Sequence, residues 1–246
     1  MKWLKRLGVL LLVLIAVLAV LFFIYNEPRP EGQKSTEADA LANQMLKAID
    51  KAGWDSTTYV QWTFKGMHSF LWDKDRNFVE VNWGDNRVLL NTKKVTGKTF
   101  VKGVEEIGPS AEKLIQDAWS FFCNDSFWLN APAKAFDPGT ERSIVTQEDG
   151  SKGLMVSYTS GGVTPGDAYL WILDEKFLPK TWKMWVKIIP VGGMEFSWDQ
   201  WETLSTGAKV ATFHKSSVLD LDISELKGAI SLEGLGLSED PFGVLE

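Results

Sequence analysis

Between Thr57 and Lys94 short runs of alternating apolar and polar residues follow one another, joined by tight polar connections. In "TTYVQWTF" Val60, Trp62 and Phe64 share one face and Gln61 and Thr63 the other. "HSFLWD" alternates His68, Phe70 and Trp72, and "FVEVNWG" sets Val79, Val81 and Trp83 opposite Phe78, Glu80 and Asn82. "RVLLNTKK" follows. The connections "KGM", "KDRN" and "DN" are too short for a crossover helix, so neighbouring strands must run antiparallel, with one face dry and one wet. This excludes a βαβ architecture for the region. The same grammar returns after residue 140 in "RSIVTQ", "GLMVSYTS", "DAYLWIL", "KTWKMWVKI", "EFSWDQWETL" and "KVATFHKSSVLDLDI", with Gly and Asp in the turns between them.

Two segments carry helical spacing instead. In "TEADALANQMLKAIDKAGW", Ser35 or Thr36 is the expected cap, Leu41, Met45, Leu46 and Ile49 form the apolar face, and Gly53 is the expected stop. "GPSAEKLIQDAWSFFCNDSFWLNAP" begins with Pro109 at a helix start and carries Leu114, Ile115, Ala118, Trp119 and Phe122 as a broad stripe. The residues from Ser126 through Pro138 read as a helical turn and loop. The tail beyond Ser224 is mixed, with room for one short strand.

The N-terminus poses a separate question. "MKWLKRLGVLLLVLIAVLAVLFFIYN" has a basic start and an uncharged run from Leu7 to Tyr25. Nineteen helical residues reach about 28 Å, enough for the hydrocarbon layer. A cleavable signal peptide has a shorter apolar run and small residues at its cleavage site, whereas this run ends in "LFFIYNEPRP". The expectation is an uncleaved single-pass anchor over 1–26. A polar linker over 27–35 and one domain over 36–246 would follow. Lys2, Lys5 and Arg6 place the N-terminus in the cytoplasm and the domain on the far side. The cytoplasmic (inner) membrane, with a periplasmic or external domain, is the expected location.

Charge and composition narrow the function. The net charge of −6 includes the three basic N-terminal residues, so the remainder is more acidic still, and a nucleic-acid partner is not expected. His68 and His214 are the two histidines and Cys123 the one cysteine, so no ligand spacing for a metal and no disulfide is available. No cofactor is expected. Cys123, within "WSFFCNDSFW", reads as a buried inert thiol. "SGGVTPGD" lacks the Gly-Lys-Ser/Thr ending of a phosphate loop, and "DKDRN" lacks the rest of a calcium loop. Asp220, Asp222 and Glu225 could do acid–base work, but alternation on a wet strand face explains them as well. The chain is therefore not expected to be an enzyme. Its outlier is tryptophan, twelve in all. Trp62, Phe64, Phe70 and Trp72 come from adjacent strands, and Trp171, Trp182, Trp185, Trp198 and Trp201 from later ones. They either fill a core or line a cavity.

An amphipathic helix, a W-x-F first strand ("YVQWTF"), a meander, a helical interruption and further antiparallel strands together resemble the LolA/LolB lipoprotein-carrier superfamily. The resemblance runs over about residues 36–230 and rests on organisation. "GWDSTTYVQWTF", "GGVTPGDAYLWILDEKFLPKTWKMW" and "GGMEFSWDQWE" also look like a Bacteroidota-type family of membrane-anchored envelope proteins, a likeness that brings no activity with it. The first resemblance implies an α+β fold: a mainly antiparallel, strongly curved half-barrel with an N-terminal helix and a helical lid, here preceded by one transmembrane helix. It implies a non-catalytic binder of a lipid or a lipoprotein acyl chain. The expected cavity lining is Trp62, Phe64, Phe70, Trp72, Trp171 and Trp185 from the sheet, with Trp119 and Phe122 from the lid. The lipidated Cys of LolB has no counterpart here, so holding a ligand near one membrane is the expectation, with another envelope protein as a further partner. The alternatives are an envelope interaction module without a ligand and a glycan-active enzyme, which would need two carboxylates facing across a cleft.

Overall fold

The computed structural model describes residues 2–160 and 166–245, without the side chains of residues 2, 4, 5, 15 and 18–21 in the first helix. The turn expected at "SGGVTPGD" falls mainly on 161–165, outside the described residues. Helix α1 runs Lys2–Tyr25 and presents Leu10, Leu12 and Phe23 outward. Among the described residues no helix is long and apolar enough to cross a membrane.

Helix α2 (Thr36–Ala48) starts where the Ser35 hydroxyl accepts from the Ala38 amide, and it buries Ala38, Ala42 and Met45. Gly53 does not stop it. The break comes at Asp50, which sits at φ 52 and caps a second short helix, α3 (Lys51–Ser56), through its carboxylate and the Gly53 amide. Gly53 is needed for a different reason. A Cβ there would lie 2.7 Å from the Thr206 carbonyl oxygen and 2.8 Å from the Ala208 nitrogen.

The strands are β1 (Tyr59–Phe64), β2 (His68–Asp73), β3 (Phe78–Trp83), β4 (Asn86–Asn91), β5 (Thr96–Val101) and β6 (Val104–Glu106), then β7 (Thr140–Thr146), β8 (Lys152–Tyr158), β9 (Ala168–Leu173), β10 (Pro179–Trp185), β11 (Met194–Ser197), β12 (Asp199–Thr203), β13 (Lys209–Lys215) and β14 (Asp220–Ala229). Helix α4 (Pro109–Asn130) lies between β6 and β7 in sequence. The paired strands are antiparallel and form two sheets, ordered β12-β13-β14-β1-β2-β3-β4-β5-β6 and β11-β10-β9-β8-β7. The sheets adjoin where β11 runs into β12 with Trp198 alone between them. The Trp198 amide donates to the Lys180 carbonyl (2.8 Å) and the Lys215 amide to the Ser197 hydroxyl (3.0 Å). The assembly is an open α+β half-barrel, and it does not close.

Several sequence expectations change. "EFSWDQWETL" and "KVATFHKSSVLDLDI" each read as one strand and each is two. The first is interrupted at Trp198; in the second, the Ser216 hydroxyl accepts from the amides of Val218 and Leu219 and makes a turn. The helix read as ending in a loop continues to Asn130, and a 3-10 turn over Ala131–Lys134 follows with Pro132 near its start. The tail begins as the end of β14, through Ala229, and then carries two short 3-10 turns, Glu233–Leu235 and Gly243–Leu245. It lies on the face of the meander expected to be wet: Leu235 and Phe242 join Leu71, Phe78 and Leu89 in a second small core. The reason is in the residues, since Leu71, Phe78 and Leu89 leave that face too apolar for solvent.

The segment 27–35, expected as a polar linker, is fastened to the domain. The Glu27 amide donates to the Gly192 carbonyl (3.0 Å), Arg29 donates to the Ser157 hydroxyl (2.5 Å), and Gln33 and Ile144 exchange both backbone bonds.

Candidate functional site

The concave face is built of rings, in two groups that α4 bridges. In the first, Trp62 and Phe70 are cross-strand partners and stack at 4.5 Å with planes 13° apart. Phe122 of α4 sits over them, 6.4 Å from each and 5.1 Å from Trp72. In the second, Trp171 and Trp182 are cross-strand partners, and Trp182 lies within 5.0 Å of the Tyr169, Trp171, Trp128 and Trp198 rings. Trp128 of α4 also packs on Phe196 and His214. The cross-strand register sets both groups, because directly opposed side chains on one face approach within van der Waals reach.

Trp62, Phe64, Phe70, Phe122 and Trp171 are buried in this core, and Trp72 and Trp119 are half-buried against it. Trp185 is not on this face. In "TWKMW" the inward residues are Trp182 and Met184; Lys183 and Trp185 point outward, where Trp185 meets a cluster of Val145, Met155, Ala168 and Leu170 and donates its indole N–H to the Glu27 carbonyl (2.7 Å). The inward tryptophan of this strand is Trp182, in place of the expected Trp185. Lys183 carried the parity signal: a lysine two residues before Trp185 places both on the polar face.

This interior is packed with its own side chains. A small cavity of about 10 Å³ beside Trp54, Asn130 and Val210 is no larger than a water. A larger pocket of about 370 Å³ lies elsewhere, between the 29–34 segment and the outer face of β7 and β8, among Arg29, Lys34, Glu141 and Ser157.

Packing has left polar atoms behind. Among the described residues, the indole nitrogens of Trp62, Trp182 and Trp198, Asn130 Oδ1 and His214 Nε2 are buried without a hydrogen-bond partner. Buried indole N–H groups normally find an acceptor, and each orphan costs about 1–3 kcal/mol. His214 is fully buried, and burial pushes its imidazole down to about 4, against the favourable backbone groups of Ser197 and Trp128. The neutral ring is thus bound in the fold, while an unfolded chain protonates it near 6.5. Stability tied to His214 is present above pH 6.5 and is lost as pH falls towards 4, by about 3 kcal/mol in all. Urea unfolding between pH 7 and 4.5 checks this: His214→Phe is expected to flatten the slope by about one proton.

At the edge of the same face, His68 Nδ1 lies 2.7 Å from Asp125 Oδ2 on α4, and the imidazole stacks on Phe121 at 4.0 Å. Asp125 is nearly fully buried, and burial holds its carboxyl above the usual range despite hydrogen bonds from Asn124 and His68. Sequence reading took His68 as an ordinary strand residue and did not single out Asp125; the pair links residues 57 positions apart. Asp220 and Asp222 are exposed, and Glu225 accepts from Thr63 at 2.6 Å. Cys123 is half-buried, and desolvation raises its thiol to about 12. Among the described residues no group of three or more His, Cys, Asp or Glu side chains converges to hold a metal.

No protein-family model and no curated protein matches this sequence. Among solved structures, the chain is similar to a DUF1329 family protein from Desulfovibrio piger, at 12% identity over 81% of this chain and 95% of that one, with a TM-score of 0.40. It is also similar to a domain from Vibrio parahaemolyticus named for outer-membrane lipoprotein sorting, at 10% identity over 83% of this chain and 98% of that one, with a TM-score of 0.33.

Proposed function

We propose that this chain binds an apolar ligand, a lipid or a lipoprotein acyl chain, between its concave aromatic face and α4, and does no chemistry on it. The observation that carries the reading is the set of buried, unpartnered polar atoms of Trp62, Trp182, Trp198, Asn130 and His214 on a face closed by one helix. An ester carbonyl or an accompanying water would satisfy donors that the closed form leaves idle, while the chain is held by apolar burial at about 25 cal/mol per Å². Binding then requires α4 to lift. Its first two turns are mostly exposed and its N-terminus has no side-chain cap.

In this reading α1 is a single-pass anchor in the cytoplasmic membrane, with the domain on the periplasmic or external side. The uncharged run from Leu7 to Tyr25 and the basic residues before it support that placement. The tight packing of Trp62, Trp171 and Trp182 supports a second reading, an envelope interaction module that holds no ligand.

A diazirine-bearing palmitate, photolysed with the full chain in nanodiscs, separates the two. Cross-links on α4, β1 and β10 are expected. Cross-links confined to α1, or none, would leave the interaction module.

A further inference from the structure

Strand register carries every hairpin to one of two rims. Phe64 pairs with His68, Trp83 with Asn86 and Val101 with Val104, so the turns at 65–67, 84–85 and 102–103 share one rim. Phe64 also pairs with Ile223, and Asp220 with Lys215, which brings the turn at 216–219 to the same rim. Thr181 pairs with Ser197 and Met184 with Met194, so the turn at 186–193 follows. The opposite rim takes the turns at 74–77, 92–95, 147–151, 174–178 and 204–208.

The two rims differ in chemistry. The opposite rim is strongly charged: Lys74, Asp75, Arg76, Lys93, Lys94, Glu148, Asp149, Asp174, Glu175 and Lys176, with Phe177 and Ile230 as its exposed apolar residues. The first rim projects Met67 (53% exposed), Val104 (70%), Ile188 (72%), Val218 (68%) and Leu219 (41%). Its turn charges among the described residues are Lys65, Lys187, Lys102 paired with Asp85 at 3.7 Å, and the buried Asp167, which accepts from the Lys187 amide, with Lys215 and Asp220 at the strand ends. Single exposed apolar residues need no explanation, but these sit on separate hairpin tips at one end of the molecule.

That end is also where α1 departs. The Asn26 amide still bonds to the Phe22 carbonyl (2.8 Å), so helical bonding continues past Tyr25. The next residue is seated on the rim: Asn26 Oδ1 accepts from the Gly192 amide (2.9 Å), the Glu27 amide donates to the Gly192 carbonyl (3.0 Å), and Lys183 bonds the Glu27 carboxylate (2.7 Å). Gly193, at φ +80, admits this seat, since a Cβ there would lie 2.4 Å from Glu27 Cβ. Two residues span at most about 7 Å. Wherever α1 enters a bilayer, this rim is at its surface.

We propose that the rim is a bilayer-docking surface. Met67, Val104, Ile188, Val218 and Leu219 enter the headgroup layer of the membrane that holds α1, and Lys65, Lys102 and Lys187 lie over anionic headgroups. Each contact is weak on its own. Attachment through α1 makes each of them intramolecular, so they act together. The docking deepens the binding reading and rests on its anchor. The contacts that fasten α4, His68 with Asp125 and Trp83 with Phe121, lie on the same rim. An apolar ligand leaving the bilayer therefore meets the fastening of α4 first.

The test uses the full chain with Cys123→Ser, in vesicles of phosphatidylcholine with phosphatidylglycerol. Bimane is attached at Met67→Cys, Ile188→Cys or Val218→Cys, with Glu148→Cys as the control on the far rim. Lipids brominated near the headgroup are expected to quench the three rim labels at least twofold more than the control. Equal, weak quenching at all four positions, in protein that resists carbonate extraction, would overturn the docking and leave the anchor standing. Release by carbonate would overturn the anchor, and the docking with it. Quenching that does not fall in pure phosphatidylcholine would overturn the role given to the lysines.

Discussion

Replacing Trp182 with alanine is expected to lower stability by about 3–5 kcal/mol, the range for deleting a large aromatic from a packed core. The side chain is fully buried and touches rings from α4, β9 and the Trp198 junction at once, so no neighbour can collapse into the space without losing its own partners. In a chain of this size the Tm is expected to fall by about 10 °C. Trp182→Phe should cost far less, about 1–2 kcal/mol, because the indole N–H it removes has no partner to lose. Trp185→Ala should also be milder, since that ring is half-buried on the outer face. Urea denaturation of the three variants checks the order; equal losses at 182 and 185 would contradict the assignment of faces.

The second large effect belongs to the buried pair. Removing His68 alone leaves the Asp125 carboxyl buried with Asn124 as its remaining side-chain partner, and depriving a buried polar group of its hydrogen bond costs about 1–3 kcal/mol, more where the group is charged. The double variant His68→Ala with Asp125→Ala is expected to recover much of that, because no buried carboxyl is then stranded. Urea denaturation of the two single variants and the double variant measures it, and a double variant no more stable than His68→Ala would show that lost packing on Phe121 is the larger part.

The meander and the start of α4 were legible because their signals are local: alternation between polar turns in β1 to β4, and Gly-Pro before the helix. Convergence of Trp62, Phe70 and Phe122 followed from the same alternation plus one crossing helix. The face of Trp185 was not legible from aromatic content alone, because β10 carries aromatics on both faces; the lysine at 183 marks the outer one. The aromatics of the last turn of α4, Phe127 and Trp128, were read as loop because Pro132 lies close by. That proline lies near the start of the next turn instead. Asp125 and the outer cover supplied by Phe242 could not be read locally, since each depends on a partner more than fifty residues away.

The two sheets end in four edge strands; β11 and β12 meet at Trp198, and β6 and β7 are left as the outer edges, each a template for another chain. One of them, β6, is three residues long and carries Glu105 and Glu106, which repel an incoming strand. The other, β7, is seven residues long and includes Ile144 and Val145. Gln33 pairs with Ile144 there, and Lys34 forms an ion pair with Glu141. The residues that lead from α1 into the domain thus also occupy the longer edge. A second copy of the chain could pair with β7 only by first peeling that segment away, so the attachment of α1 and protection against edge-to-edge aggregation are one structural device.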